Sequence, residues 1–137
     1  MPDREPVYVV GAAILREGRC LVARRSASMS APGCWEFPGG KVEDGELPRE
    51  ALVREIREEL GVEIAAGDWI GRGGEAQNDR VIVLDVYAAE LRSGEPHPHE
   101  HDACEWLAPA ELRRLGWAPP DVPIVEQVIE RLARQPG

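Results

Sequence analysis

The stretch Gly40-Lys41-Val42-Glu43-Asp44-Gly45-Glu46-Leu47-Pro48-Arg49-Glu50-Ala51-Leu52-Val53-Arg54-Glu55-Ile56-Arg57-Glu58-Glu59-Leu60-Gly61-Val62 sets a glycine turn against a helix with one heavily acidic face. Pro48 suits a first helical position, where a missing N–H costs nothing, and Gly61 suits the left-handed residue after a last turn. The spacing therefore predicts a helix over 48–60. Leu52, Ile56 and Leu60 recur every four residues, with Val53 beside them, so the helix carries an apolar stripe able to dock on a sheet. Glu55, Glu58 and Glu59 stand at i, i+3 and i+4, which puts their side chains on one face, about 5–6 Å apart at Cβ. Like charges so placed repel unless a cation covers them, and Mg²⁺ is a hard cation that takes carboxylate oxygens together with substrate phosphates. A solvated acidic face is the ordinary explanation of a Glu-rich helix. The residues around it decide otherwise.

The full pattern runs Gly40, five residues, Glu46, seven residues, Arg54-Glu55, an apolar Ile56, any residue, Glu58-Glu59, any residue, Gly61 and an apolar Val62. Its seven fixed identities would coincide by chance with a probability on the order of 10⁻⁸ at ordinary residue usage. At every specified position it resembles the signature of the Nudix hydrolase family, and the chain is most similar to MutT-like and CTP pyrophosphohydrolase-like members. The resemblance implies an α/β fold, an α/β/α sandwich around a central mixed β-sheet. It also implies hydrolysis of a nucleoside diphosphate linked to a further group, by water attack on phosphorus with Mg²⁺, or Mn²⁺ as a substitute. Carried over residue by residue, it makes Glu55, Glu58 and Glu59 the principal metal ligands and adds the backbone carbonyl of Gly39. Glu105, just before Trp106, follows as a further ligand or base, and Glu46 and Arg54 as residues that orient the loop and the helix. Leu47 departs from the usual Ser or Thr before Pro48, which predicts a weakly capped helix start.

Composition agrees with a small-molecule enzyme. The 137 residues, 43% hydrophobic, suffice for one domain over 1–137 with a sizeable core. Sixteen Lys+Arg against 25 Asp+Glu give a net charge of −9, which offers no general attraction to a nucleic-acid polymer or an anionic membrane. A nucleotide remains a suitable substrate, because metals and a few arginines reverse the sign locally. Cys20, Cys34 and Cys104 are odd in number and widely spaced, which reads as reduced thiols in a cytoplasmic protein. The N-terminus from Met1 to Pro6 lacks a basic segment followed by an apolar core, and no apolar run reaches the roughly 18 residues of a membrane span. Oligomeric state is not legible.

Outward from the acidic helix, Val7 to Leu15 is nearly continuous apolar sequence, as in a strand buried on both faces, and a turn at 16–19 leads to a second strand over 20–23. Arg24 follows at that strand's end, where MutT-like relatives place a residue near substrate. Small residues over 26–33 predict a loop, and Trp35-Glu36-Phe37 a short strand entering the Gly39-Gly40 turn. Trp35 reads as core; Phe37 lies where relatives line the base pocket; Lys41 offers a point charge to a phosphate. After the helix, 62–70 reads as a short strand and connection, the glycine-rich 71–80 as a flexible loop, and 81–90 as a strand. Arg80 aligns with a residue bordering the base pocket in relatives. His97, His99 and His101 hold all the histidines; a solvated loop suits them better than zinc, although His101 could reach the active-site mouth. A strand over 103–107, a short helix over 109–115 and a longer one over 122–132 complete the chain, the last with Val125, Val128, Ile129 and Leu132 on one stripe. Asp121, in the Pro-rich loop between the two helices, caps a helix or, by resemblance, reads a nucleobase edge.

The expected activity is thus Mg²⁺-dependent hydrolysis of a nucleoside triphosphate, oxidised purine or cytidine, to the monophosphate and diphosphate. A nucleotide sugar or dinucleotide is the alternative substrate, and a nucleotide-binding regulatory module without turnover the alternative class.

Overall fold

A computed structural model describes residues 4–134, leaving the reading of Met1 to Asp3 outside the described residues. Seven strands form one mixed sheet. They are β1 (Glu5–Arg16), β2 (Arg19–Arg24), β3 (Trp35–Glu36), β4 (Gly39–Lys41), β5 (Glu63–Gln77), β6 (Arg80–Ser93) and β7 (Ala103–Leu107). The helices are α1 (Pro48–Leu60), α2 (Pro109–Leu112) and α3 (Val125–Arg134), with a 3₁₀ turn over Pro119–Ile124 leading into α3.

The apolar run predicted as the first strand is the centre of the sheet. β1 pairs in parallel with β6 from Glu5↔Arg80 to Ile14↔Ala89, and β6 pairs antiparallel with β5. Alternation along β1 feeds both faces: Val10, Ala12 and Ile14 meet Leu52, Ile56 and Leu60 of α1, while Ala13 and Leu15 meet Val125, Val128, Ile129 and Leu132 of α3. Each of these large side chains stabilises by roughly 1.5–3 kcal/mol on full burial. The result is the α/β/α sandwich expected.

The sheet forks beside β1. β2 pairs with β1 only at Leu15↔Cys20 and Arg16↔Arg19, then leaves to pair with β3 and β7. β4 takes over that edge of β1 at Val9↔Lys41 to Gly11↔Gly39. A cleft opens at the fork, and α1 runs along it.

α1 spans the residues the sequence predicts, and Gly61 closes it at φ 70° with its N–H on the Arg57 carbonyl. Leu47 provides no capping oxygen, but Glu50 Oε1 accepts from the Leu47 N–H at 3.1 Å, which replaces half of a capping box. Three expectations are corrected. The glycine-rich segment 71–80 is not a flexible loop, since 71–77 forms the second half of β5, paired with β6 as far as Gln77↔Arg80, and only Asn78 and Asp79 remain as a turn. Its glycines answer to tertiary approach: a Cβ on Gly73 would lie 1.8 Å from the Pro120 carbonyl oxygen, and one on Gly71 1.9 Å from Gln127 Oε1. The helix expected over 109–115 ends at Leu112, and the segment expected to open the last helix is 3₁₀ as far as Ile124, where Pro119, Pro120 and Pro123 remove backbone donors.

Candidate active site

The cleft holds a cavity of about 840 Å³. The acidic face of α1 forms one end and the Phe37–Asp121 wall the other. At the acidic end the two glycines before α1, Gly39 and Gly40, are steric requirements. A Cβ on Gly39 would fall 1.8 Å from the Val10 carbonyl oxygen, and one on Gly40 2.3 Å from Glu55 Cδ. Only a bare backbone lets the Glu55 carboxylate lie against this turn.

Arg54 supplies countercharge to two of the three glutamates on the helix face, Glu55 and Glu58, and to Glu46 in the preceding turn. Its Nε and Nη2 donate to Glu46 at 2.7 and 2.9 Å, and its Nη1 to Glu55 at 3.0 Å and Glu58 at 3.1 Å. Nη2 also donates to the Lys41 carbonyl at 3.1 Å, which ties the glycine turn to the helix. Hydrogen bonds from Arg54 and the Glu43 backbone lower the Glu46 carboxyl to about 2. Glu55 differs: burial, then the charges of Glu58 and Glu43, raise its pKa against the opposing pull of Arg54.

Glu59 is buried and committed to a loop. Its Oε2 accepts from the backbone N–H groups of His99, Glu100 and His101 at 3.0, 3.0 and 3.1 Å and faces His101 Nδ1 at 3.0 Å. Burial alone would raise its pKa, but these donors outweigh it and the net shift is downward. His101 is buried too, and its Nε2 lies 2.6 Å from Glu36 Oε2. Burial opposes the charged ring, yet the two carboxylates prevail and raise its pKa. His97 and His99 are exposed as expected of a solvated loop; His101 is not, because Glu59 draws the loop onto the end of α1.

The opposite wall begins at Phe37, whose ring packs on Trp117 with centroids 4.8 Å apart and whose N–H donates to Asp121 Oδ2 at 2.9 Å. Asp121 is buried, and desolvation followed by the charge of Glu36 pushes its pKa well up. Its carboxylate thus serves this wall and caps no helix. Beside it Arg25 Nη1 pairs with Glu36 Oε1 at 2.7 Å, while Arg25 Nε and Nη2 hold the Ser30 carbonyl and hydroxyl. This fastens the loop 26–33 over the cavity.

The structure brings Gly39, Lys41, Glu55, Glu58, Glu59, Phe37, Arg80 and Asp121 to the cavity wall. Glu46 and Arg54 stand just behind it, joined as described. Two expected residues lie elsewhere. Arg24 turns outward to Asp102, Nε to Oδ1 at 2.6 Å, and its neighbour Arg25 takes the cavity side. Glu105 is exposed on β7 because Cys104 and Trp106, alternating with it, pack toward the α1 side. Residues that sequence reasoning missed are Arg25, Glu36, Glu100 and Gln77, all on the cavity. The alternation of Trp35 and Phe37 was the available signal for Glu36, which must face the other way.

No group of three His, Cys, Asp or Glu side chains among the described residues is already gathered as a metal site. The donors nevertheless fit a hard divalent ion. Glu55 and Glu58 offer carboxylate oxygens beside a carbonyl-rich turn, and the space that a Gly40 Cβ would fill is kept open for Glu55.

The family model described as NUDIX domain matches residues 5–128. A relative from Escherichia coli named CTP pyrophosphohydrolase is 39% identical over 131 residues, 96% of this chain and 97% of its own. A relative from Mycobacterium tuberculosis named putative 8-oxo-dGTP diphosphatase 2 is 41% identical over 116 residues, 82% of this chain and 81% of its own. Among solved structures, the solution structure of the E. coli ORF135 protein superposes with a TM-score of 0.81 at 39% identity, covering 98% of this chain and 96% of that one.

Proposed function

This chain belongs to the NUDIX family, whose enzymes hydrolyse nucleoside diphosphate derivatives, and we propose that it is a Mg²⁺-dependent nucleoside triphosphate pyrophosphohydrolase acting as a single cytoplasmic domain. The observation that carries this reading is that a continuous cavity joins the acidic face of α1 to the Phe37–Asp121 wall, so that a base and its phosphates could reach both at once. Relatives named for CTP and for 8-oxo-dGTP support a cytidine or oxidised purine triphosphate.

Glu55, Glu58 and Glu59, with the Gly39 carbonyl, would hold the metal; Glu59 lines the cavity, and its Oε1 accepts from the Glu100 N–H at 3.1 Å while the other donors take Oε2. When bound, the ion neutralises the diphosphate and the charge that develops on the departing oxygen. Glu55 is suited to take the proton of the attacking water: its carboxylate lies against the glycine turn, and Arg54 Nη1 fixes its position at 3.0 Å. As the water oxygen bonds to phosphorus and the anhydride P–O bond breaks, diphosphate leaves and the proton stays on Glu55. Lys41, exposed at the cavity rim, can face the leaving group. Phe37 offers an apolar ring edge, while Asp121 and the Arg25–Glu36 pair offer donors and acceptors to a base edge. Arg80 borders the same wall from the β5–β6 end.

The test is diphosphate release from CTP, dCTP, 8-oxo-dGTP, dGTP, a nucleotide sugar and a dinucleotide, with Mg²⁺ and with EDTA. Turnover of one triphosphate, abolished by EDTA and lost in Glu55→Gln with nucleotide binding retained, is expected. Turnover of the sugar or dinucleotide alone would overturn the substrate class, and equal inertness of wild type and Glu55→Gln would indicate a binding module.

A further inference from the structure

One buried side chain touches both ends of the cleft and has no part in the reaction just described. His101 lies between Glu59 at the acidic end, 3.0 Å from Nδ1, and Glu36 at the opposite wall, 2.6 Å from Nε2. Its side chain is only 4% exposed, so neither contact is a surface ion pair loosened by water. The chain of contacts continues past both carboxylates. Glu36 Oε1 holds Arg25, which fastens the 26–33 loop through Ser30, and Glu59 holds the His99 to His101 backbone against the end of α1. A ring with one nitrogen on each side of the cleft fixes the separation of the two carboxylates as a rigid spacer does.

We propose that His101 is a positioning residue that couples the nucleotide-contacting wall to the acidic helix, so that the placement of Glu36 and Arg25 and the placement of Glu59 are set together. This rests on the reading of the cleft as a nucleotide and metal site, but it concerns protein contacts that exist whatever nucleotide enters. Filling the wall with a nucleotide then orders the acidic end, and filling the acidic end orders the wall, as reciprocal coupling requires.

The two contacts separate by substitution. An asparagine amide overlays Nδ1 and a glutamine amide overlays Nε2, so His101→Asn keeps the Glu59 bond and loses Glu36, whereas His101→Gln keeps Glu36 and loses Glu59. Three readouts are measured on the intact protein: Mn²⁺ affinity by electron paramagnetic resonance, affinity for CMP and 8-oxo-dGMP by calorimetry, and the backbone amide resonances of Phe37 and Glu100. His101→Gln should weaken Mn²⁺ binding about tenfold or more, as loss of a supporting hydrogen bond to a ligand does, and move the Glu100 amide but not that of Phe37. His101→Asn should weaken monophosphate binding about tenfold and move the Phe37 amide, with Mn²⁺ affinity within about twofold of wild type. In the wild type, diamagnetic Mg²⁺ should shift the Phe37 amide, and both variants should abolish that shift.

Parallel loss at both ends in both variants, no change in either, or failure of both to fold would overturn the proposal, since each means the ring supports the fold or nothing at all. If the wild type binds neither monophosphate, the substrate assignment fails, while the Mn²⁺ and amide readouts still decide the coupling.

Discussion

Replacing Gly40 by Ala should disable the site while leaving the fold nearly intact. The backbone at Gly40 is not in the left-handed region, so alanine fits conformationally. Its Cβ does not fit sterically. It would stand 2.3 Å from Glu55 Cδ and Oε2, and ordinary contact begins at 3.4 Å, so the carboxylate must retreat by about 1.1 Å. The obstacle is the far end of a flexible side chain, which moves at small cost. Losing the 3.0 Å contact from Arg54 to Glu55 removes about 1 kcal/mol, or about 2–4 °C in Tm. Catalysis responds far more steeply, because a misplacement near 1 Å costs about 10²-fold, equivalent to roughly 2.7 kcal/mol of barrier. The assay is kcat for diphosphate release at saturating Mg²⁺ with the best nucleotide of the panel, beside Tm by differential scanning fluorimetry. A variant with kcat within threefold of wild type would refute the reasoning, and so would a fall in Tm beyond about 10 °C.

Other outcomes follow from the same geometry. Gly73→Ala should lower Tm by about 5 °C or more, since its Cβ would meet the Pro120 backbone oxygen at 1.8 Å, and backbone gives way less easily than a side chain; an unchanged melting curve would contradict this. Burial and Glu36 raise the Asp121 pKa, so the stability tied to that group is full below its unfolded value near 3.9 and drains as pH climbs through the folded one. Denaturant midpoints should therefore fall with rising pH above about 4 in the wild type, and Asp121→Asn should flatten that slope. Glu46 runs the opposite way. With its carboxyl lowered to about 2, its contribution is present above the unfolded value near 4.3 and is lost as pH falls toward 2, so Glu46→Gln should show a shallower acid transition by circular dichroism.

The parts legible in the sequence are those fixed by local chemistry. Pro48 and Gly61 bound α1 because each demands a particular backbone, and the four-residue apolar stripe fixed which face stays free for the glutamates. Nearest-neighbour chemistry fails where distant contacts decide. Gly71, Gly73 and Gly74 carry the composition of a loop, yet they lie in a strand because the 3₁₀ turn and α3 press against it. Arg24 and Arg25 differ by one residue, and which of them enters the cleft depends on where β2 ends and the 26–33 loop begins. The partner of Asp121, the Phe37 N–H, is 84 residues away in the chain. The spacing of the α1 glutamates likewise gives no hint that Glu59 takes its donors from a loop some 40 residues later. Glu36 and His101 stand 65 residues apart, and nothing local to either signals their contact.

The parallel pairing of β1 with β6 also bears on how the molecule comes into being. Glu5 meets Arg80 and Ile14 meets Ala89, so the central ladder closes only after most of the chain exists. Pairings of such sequence separation carry a large loop-closure cost, and they slow folding relative to local hairpins. On a ribosome α1 emerges well before β6, with an amphipathic face and an incomplete sheet to receive it. The acidic end of the cleft is thus synthesised early and completed late, and the last strands to be made determine when the first ones become an enzyme.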